Sequence, residues 1–312
     1  MKKVIVFGSI NLDLVARSPR LPIPGETILG HEFFTAPGGK GANQAVAVAR
    51  LGIPTQLVGR VGNDNFGRSL LANLQSYGVQ TKHICIDETT HSGVAIITVD
   101  DTGQNNIIVI PGANGHINET DVQRLNSLFD HAAALLLQWE IPLAAVELAA
   151  KAAQKVGVKV ILDPAPTRLD APDHFYRRVD IITPNEIEAS QLVGFEVNNY
   201  NTAAKAAEIL LQKGVGTAII KLGAKGVYSA TTESTFFVPA FPVQPVDTVA
   251  AGDAFNGGLV AAITQGLDLR EAVVWGAAAG AISTTKAGAM ISMPDRASFD
   301  TFLKNFAHNT SL

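Results

Sequence analysis

The run DTVAAGDAFNGG, Asp247 to Gly258, sets one carboxylate where a turn of small residues opens an apolar helix. Gly252, with Ala250 and Ala251 beside it, lets a ligand approach the backbone, and the free N–H groups of a first helical turn point toward negative charge. Asp253 stands where a phosphate would arrive. A carboxylate there is a poor anion ligand, so its task would be to take a proton from an attacking hydroxyl, which is the chemistry of phosphoryl transfer. The same run also fits a helix start whose aspartate merely complements the helix dipole.

Other runs offer polar groups of matching kinds. PGGKGANQAVA, Pro37 to Ala47, is a second glycine-rich turn into a helix, with a cation at Lys40 and an amide at Asn43. It lacks the Ser/Thr of a P-loop and the GxGxxG of a dinucleotide fingerprint, and its donors suit the hydroxyls of a polyol, although a structural cap would look the same. In GSINLD, Asn11 and Asp13 are two residues apart, which in an extended segment puts both on one face toward adjacent hydroxyls; an Asx turn is the alternative. Further acids close strand-like runs: Glu140 after LLLQW, Asp163 after VIL, and TPNEIE from Thr183 to Glu188. There Asn185 and Glu188 could hold water around Mg²⁺, or Asn185 and Glu186 could cap a helix. The seven histidines show no metal-pair spacing and no GxSxG is present, so zinc and serine-hydrolase chemistry fall away.

Positioning these groups requires a large scaffold. At 312 residues, 47% apolar and 17% charged, the chain can bury roughly three quarters of its unfolded surface. A formal charge of −4 with scattered basic residues argues against nucleic acid as a partner, and a single cysteine, Cys85, suits a reducing compartment, taken as the cytoplasm. The apolar patch Val4 to Phe7 is too short for a signal-peptide core, and the stretch Ala272 to Ile282 is too short to span a bilayer, so no membrane is expected.

Strand-like runs at Val4–Phe7, Thr55–Val61, Ala132–Gln138, Val158–Asp163, Ile181–Thr183 and Thr217–Leu222 alternate with helical runs at Ala42–Leu51, Phe66–Tyr77, Leu143–Val156 and Ala203–Lys213. That alternation predicts an α/β fold: a three-layer, doubly wound, mostly parallel sheet in one domain. Leu12–Phe34 and Ser92–Ile110, the latter a hairpin around Asp100–Asn105, break the rhythm and predict a small β-sheet lid over the carboxyl edge of the main sheet. The apolar face of such a lid would seek a second copy, giving a homodimer.

Taken in order, GSINLD, PGGKGANQAVA, TPNEIE and DTVAAGDAFNGG resemble the ribokinase-like carbohydrate kinases of the phosphofructokinase B type over almost the whole chain. The resemblance implies an ATP-dependent kinase for the primary 5-hydroxyl of D-ribose, or for another sugar or nucleoside such as deoxyribose, fructose or adenosine. It makes Asp253 the base and Ala250, Ala251 and Gly252 the phosphoryl cradle. It assigns Asn11, Asp13, Gly39, Lys40, Gly41, Ala42, Asn43 and Glu140 to the sugar. To the nucleotide it assigns Asn185, Lys221, Leu222, Gly223, Ala224, Lys225, Gly226 and Ala277, with Gly252 and Asp253 shared. Glu188 matches an acid near Mg²⁺. Asp247, Val249, Ser283, Lys286, Gly288 and Ser292 match ligands of an activating monovalent cation, K⁺, several through backbone oxygen. The chain departs from its relatives at Lys221, where many carry Thr, at Asp163, where Asn is frequent, and at Ala277, where some place a polar residue beside the adenine. A lysine at 221 can meet a phosphate as a point charge.

Overall fold

The structure, a computed structural model, describes residues 2–309. Its strands in chain order are β1 (Lys3–Phe7), β2 (Asn11–Ser18), β3 (Glu32–Gly38), β4 (Thr55–Gly62), β5 (Ile84–Asp87), β6 (Gly93–Asp100), β7 (Asn105–Ile110), β8 (Ala132–Gln138), β9 (Lys159–Asp163), β10 (Ile181–Ile182), β11 (Thr217–Lys221), β12 (Val227–Thr231) and β13 (Thr235–Val238). Nine of them form one sheet in the order β13-β12-β11-β10-β9-β8-β1-β4-β5. Every pairing from β5 across to β11 is parallel, and β12 and β13 add an antiparallel edge.

Pleating explains why this sheet is covered on both sides. Successive side chains point to opposite faces, so Val4, Val6, Leu136, Ile161 and Ile219 enter one core while Ile5, Phe7, Leu137, Val160 and Ile220 enter another. The first core is closed by the helices Lys40–Arg50, Ala251–Gln265 and Leu269–Ser283, and the second by Leu143–Lys155 and Tyr200–Gln212. Both apolar layers are thus continuous from strand to helix.

After β1 the main sheet grows first toward β4 and β5, then resumes on the other side of β1 at β8. The strand order therefore reverses around β1. Ligands in open α/β sheets bind outside the carboxyl ends of the strands at such a reversal.

The expected small sheet is present as four strands in the order β3-β2-β6-β7. It begins at Asn11, four residues after β1 ends, so Asn11 and Asp13 lie in an extended strand rather than in an Asx turn. Between Ser18 and Glu32 the first segment is not strand. Three short strands went unread in the sequence: β5 and β13 at the two sheet edges, and β12 between β11 and β13. In β5 and β13 half the residues or fewer are fully buried, so their hydrophobic signal is weak; β12 is buried at four of its five positions, but its run VYSAT is short and mixes polar with apolar residues.

Candidate active site

Strand ends deliver the polar groups. Ser9 follows β1, Glu140 follows β8, Asp163 ends β9, Asn185 follows β10 and Lys221 ends β11. All five therefore open onto one edge of the sheet. Gly39, at φ 89°, caps the helix Lys40–Arg50, and a methyl group on Gly41 would lie 2.6 Å from the Gly8 carbonyl carbon. Only glycine lets this helix start against the end of β1. The Lys40 N–H donates to Glu140 at 3.0 Å, and the Ser9 hydroxyl donates to the same carboxylate oxygen.

Asp253 sits in the first turn of the helix Ala251–Gln265, 4% exposed. No side chain caps that helix; Ala250, with a left-handed φ of 58°, turns the chain into it, and the Ala251 N–H donates to the Thr248 carbonyl at 3.2 Å. The Asp253 carboxylate accepts from Asn43 Nδ2 on one oxygen and Gln44 Nε2 on the other, both at 3.0 Å, and Lys40 Nζ stands 3.9 Å from the second. Burial pushes its carboxyl up to about 6; Lys40 opposes that rise and the nearby Asp163 adds to it. The group is ionised at neutral pH yet holds a proton more readily than an ordinary aspartate.

Asp163, 1% exposed, accepts from Lys221 Nζ (3.2 Å) on one oxygen and from Lys40 Nζ (3.3 Å) and Gln44 Nε2 (3.0 Å) on the other. Burial alone would raise its carboxyl, but the two lysines hold it below the usual range. For Lys40 burial works downward, and Asp163, Asp253, Glu140 and Glu188 together outweigh it, so the ammonium is firmly charged. Gln138 Nε2 donates to Gln44 Oε1 at 2.6 Å, which turns the Gln44 amide so that its NH₂ faces both aspartates.

On the opposite side, Asn11 Oδ1 accepts from Asn114 Nδ2 at 2.7 Å, and Asn114 also bonds both backbone groups of Ile10. Asp13 packs on Gly38, and its carboxyl is raised to about 7 by burial and then by Glu140. Asn43 Oδ1 is buried with no hydrogen-bond partner among the described residues. Two carboxyls of raised proton affinity, Asp13 and Asp253, and an unmet acceptor are what a hydroxyl-rich ligand would complete.

The expected nucleotide residues divide. Lys221 N–H donates to the Pro184 carbonyl at 2.9 Å, which sets Asn185 beside Lys221, and Leu222 through Gly226 form a tight turn after β11. Ala224 lies in that turn, and Ala277 lies half-buried on Leu269–Ser283. Lys225 turns away, with Nζ on Glu186 (3.3 Å) and the Asn198 carbonyl (2.6 Å). Asn185 caps the helix Glu186–Val193 in a box closed by Glu188, whose Oε2 accepts the Asn185 N–H at 2.8 Å; the capping partner is therefore Glu188 rather than Glu186. Burial, and then Asp163, raise the Glu188 carboxyl.

A second oxygen-rich loop lies beside the anion turn. Asp247 accepts from Val249 N (3.0 Å) and Gly288 N (2.8 Å), and the N–H groups of Val246 and Asp247 both donate to the Thr284 carbonyl. The hydroxyls of Ser283 and Ser292 turn back onto the carbonyls of Gly280 and Ala289, and Lys286 is exposed. Each Asp247 oxygen thus spends one lone pair on a backbone N–H, and the remaining lone pairs are hard oxygen donors that could hold a cation.

Sequence reasoning passed over Gln44, Ser9, Gln138 and the anchoring role of Asn114. Gln44 is one polar residue within the helical run Ala42–Leu51, and the packing of that helix on the sheet makes it wholly buried.

Comparison with known proteins identifies the family and the fold. A family model described as pfkB family carbohydrate kinase matches residues 1–296. The ribokinase of Haemophilus influenzae is 42% identical over 304 residues, spanning 97% of this chain and 99% of that one. The deoxyribokinase of Salmonella typhimurium is 34% identical over 300 residues, spanning 96% and 98%. Among solved structures, Arabidopsis thaliana ribokinase complexed with ribose and ATP superposes with a TM-score of 0.90 at 34% identity, covering 97% and 99% of the two chains. No helix among the described residues is long and apolar enough to cross a membrane.

Proposed function

The chain belongs to the pfkB family of carbohydrate kinases, and from that premise we propose that it transfers the terminal phosphoryl group of ATP to the primary 5-hydroxyl of D-ribose. The observation that carries this reading is the position of Asp253. It is a buried carboxylate of raised proton affinity, placed between hydroxyl-binding groups and the uncapped start of its own helix. Asp253 takes the proton of the 5-hydroxyl as that oxygen attacks phosphorus, the bond to the ADP oxygen breaks, and its electron pair leaves with ADP. The N–H groups of Ala250 and Gly252 in that turn face the charge that develops on the transferring group, while the Ala251 N–H is held by the Thr248 carbonyl. Asn11, Asp13, Gly39, Lys40, Gly41, Ala42, Asn43 and Glu140 line the sugar side, and Asn185 with Lys221 to Gly226 and Ala277 line the nucleotide side.

Mg²⁺ would accompany ATP, with Glu188 reaching it through water by the oxygen not engaged in the capping box. K⁺ would be held by Asp247 and by backbone oxygens of Val249, Ser283, Lys286, Gly288 and Ser292, where its charge would steady the loop that leads into the anion turn. The small sheet serves as a lid over the sugar. Phe33 (68% exposed), Ile107 (55%) and Ile108 (61%) leave its outer strands apolar, and a second copy of this chain covers them in a homodimer. The compartment that suits the lone thiol is the cytoplasm.

The test is ADP release, with product mass, across ribose, deoxyribose, fructose and adenosine in the presence of Mg²⁺ and K⁺. Ribose is expected to give the highest kcat/KM. Preference for deoxyribose would favour the second reading that the deoxyribokinase likeness supports, and silence with every acceptor would overturn the kinase reading. Sedimentation at micromolar concentration should show a dimer, and Ile108→Lys should shift it to monomer.

A further inference from the structure

The transfer described above uses Asp253 directly and gives the buried pair Asp163 and Lys221 no part in the chemical step. Their arrangement is specific. Lys221 Nζ, on a side chain only 12% exposed, bonds Asp163 Oδ1, and its position lies 3.2 Å from where a methyl group on Gly252 would stand. The ammonium therefore hangs over the first turn of the helix that carries the base. On its other side the Phe255 ring lies with its centroid 5.9 Å away. Asp163 meanwhile gives its second oxygen to Lys40 and to Gln44, and Gln44 continues to Asp253. A single carboxylate thus holds two lysines that arrive from different elements.

A lysine stem with four rotatable carbons would normally disperse its charge over many positions. Held by a buried carboxylate, Nζ is fixed before any ligand arrives, and a fixed cation in a water-poor site costs no reorganisation as charge develops. We infer that Lys221 is a further catalytic residue, its ammonium meeting the transferring phosphoryl group over the Ala250–Gly252 turn, and that Asp163 is the positioning residue that sets Lys221 and Lys40 on either side of the reaction. This rests on the phosphotransferase reading. The hydroxyl proton goes to Asp253.

The test compares wild type with Lys221→Met, Lys221→Arg, Asp163→Asn and the double variant D163N/K221M. Turnover is read with ribose, and calorimetry reads affinity for ADP and for a non-hydrolysable ATP analogue. Lys221→Met should lower kcat about 10²-fold, as loss of one preorganised donor does, with the KM for ribose within about threefold. It should weaken the ATP analogue about tenfold, the worth of one charged hydrogen bond, while ADP changes far less. Lys221→Arg should recover part of the lost kcat. Asp163→Asn, which also releases Lys40, should lose at least as much, and the double variant should lose no more than Asp163→Asn alone, because both substitutions break one unit. The double variant removes opposite charges together, so it supplies a folded reference if Asp163→Asn unfolds. Wild-type turnover in Lys221→Met, equal weakening of ADP and the analogue, or losses that multiply in the double variant would overturn the inference. If the wild type consumes no ATP with ribose, the ribose reading fails, and the analogue-to-ADP ratio still decides on Lys221.

Discussion

At the end of β4, Arg60 is clamped between Asp87 and Asp121; at the ends of β9 and β11, Lys40 and Lys221 share Asp163. Both clusters are buried ion networks, and their donor counts differ. Around Asp87 the Thr89 hydroxyl and N–H take one oxygen at 2.7 and 2.9 Å, and Arg60 and His116 take the other at 3.1 Å. Asp121 is met by Arg60, Arg124 and the Asn118 N–H. Hydrogen bonds from Thr89 and then His116 and Arg60 overcome burial and hold the Asp87 carboxyl well below its ordinary range. In the central cluster, burial outweighs the donors at Asp253 and Asp13, and both rise. A cavity of about 450 Å³ opens beside Arg60, Asp87 and His116. Its charges are already satisfied, so it marks a structural brace, whereas the under-supplied carboxylates mark the place that a substrate completes.

The sharpest way to break this contrast is to neutralise one carboxylate in the central cluster. Asp253→Asn should cut kcat by about 10²–10⁴-fold, the usual worth of a general base, while ribose affinity and thermal midpoint stay near wild type. Near-normal turnover in a coupled assay would remove Asp253 from the chemistry. The counterpart in the brace is Arg60→Met, which strands Asp87 and Asp121 without their shared cation. It should cost about 3–5 kcal/mol in denaturant unfolding, with kcat/KM per folded molecule unchanged. A variant equally stable but slow would make the two clusters alike.

Parts of this contrast were legible in the sequence. The two glycine turns and the acids at strand ends were readable because close backbone approach demands glycine and because a parallel strand ends in polar residues where it opens onto ligand. The helix caps at Gly39 and Asn185 were likewise local. What escaped was set by tertiary packing: Gln44 becomes a bridge between two aspartates only when its helix lies on β1 and β8, and Asp163 becomes a tether for two lysines only when β9 and β11 share a sheet. The edge strand β13 hides for a related reason, since an edge buries too little to enforce a clean alternation, and the short run of β12 becomes a strand only by pairing between β11 and β13.

The raised carboxyls also set pH behaviour, with Asp253 the larger effect. A base must be unprotonated to accept the hydroxyl proton, so kcat/KM should be level above about 7 and fall about tenfold per unit below about 6. A profile that stays flat down to pH 5 would contradict the rise assigned to Asp253.

Asp13 should show the smaller effect, and in stability rather than rate. Its folded carboxyl titrates at about 7 against an ordinary value of 3.8, so between these the folded state binds the proton that the unfolded chain has lost. Stability therefore falls as pH rises from about 4 to 7, and the penalty is complete above that range. Asp13→Asn removes the titration. It should stabilise the protein by about 0.5–2 kcal/mol at pH 8 and hardly at all at pH 4, while raising the KM for ribose, the trade of stability for binding expected at a site built to receive hydroxyls. Thermal midpoints of the two proteins at both pH values read this directly. A destabilised Asp13→Asn at pH 8 would mean that the carboxylate is satisfied within the fold, as Asp87 is, and would move Asp13 from the receiving cluster to the brace.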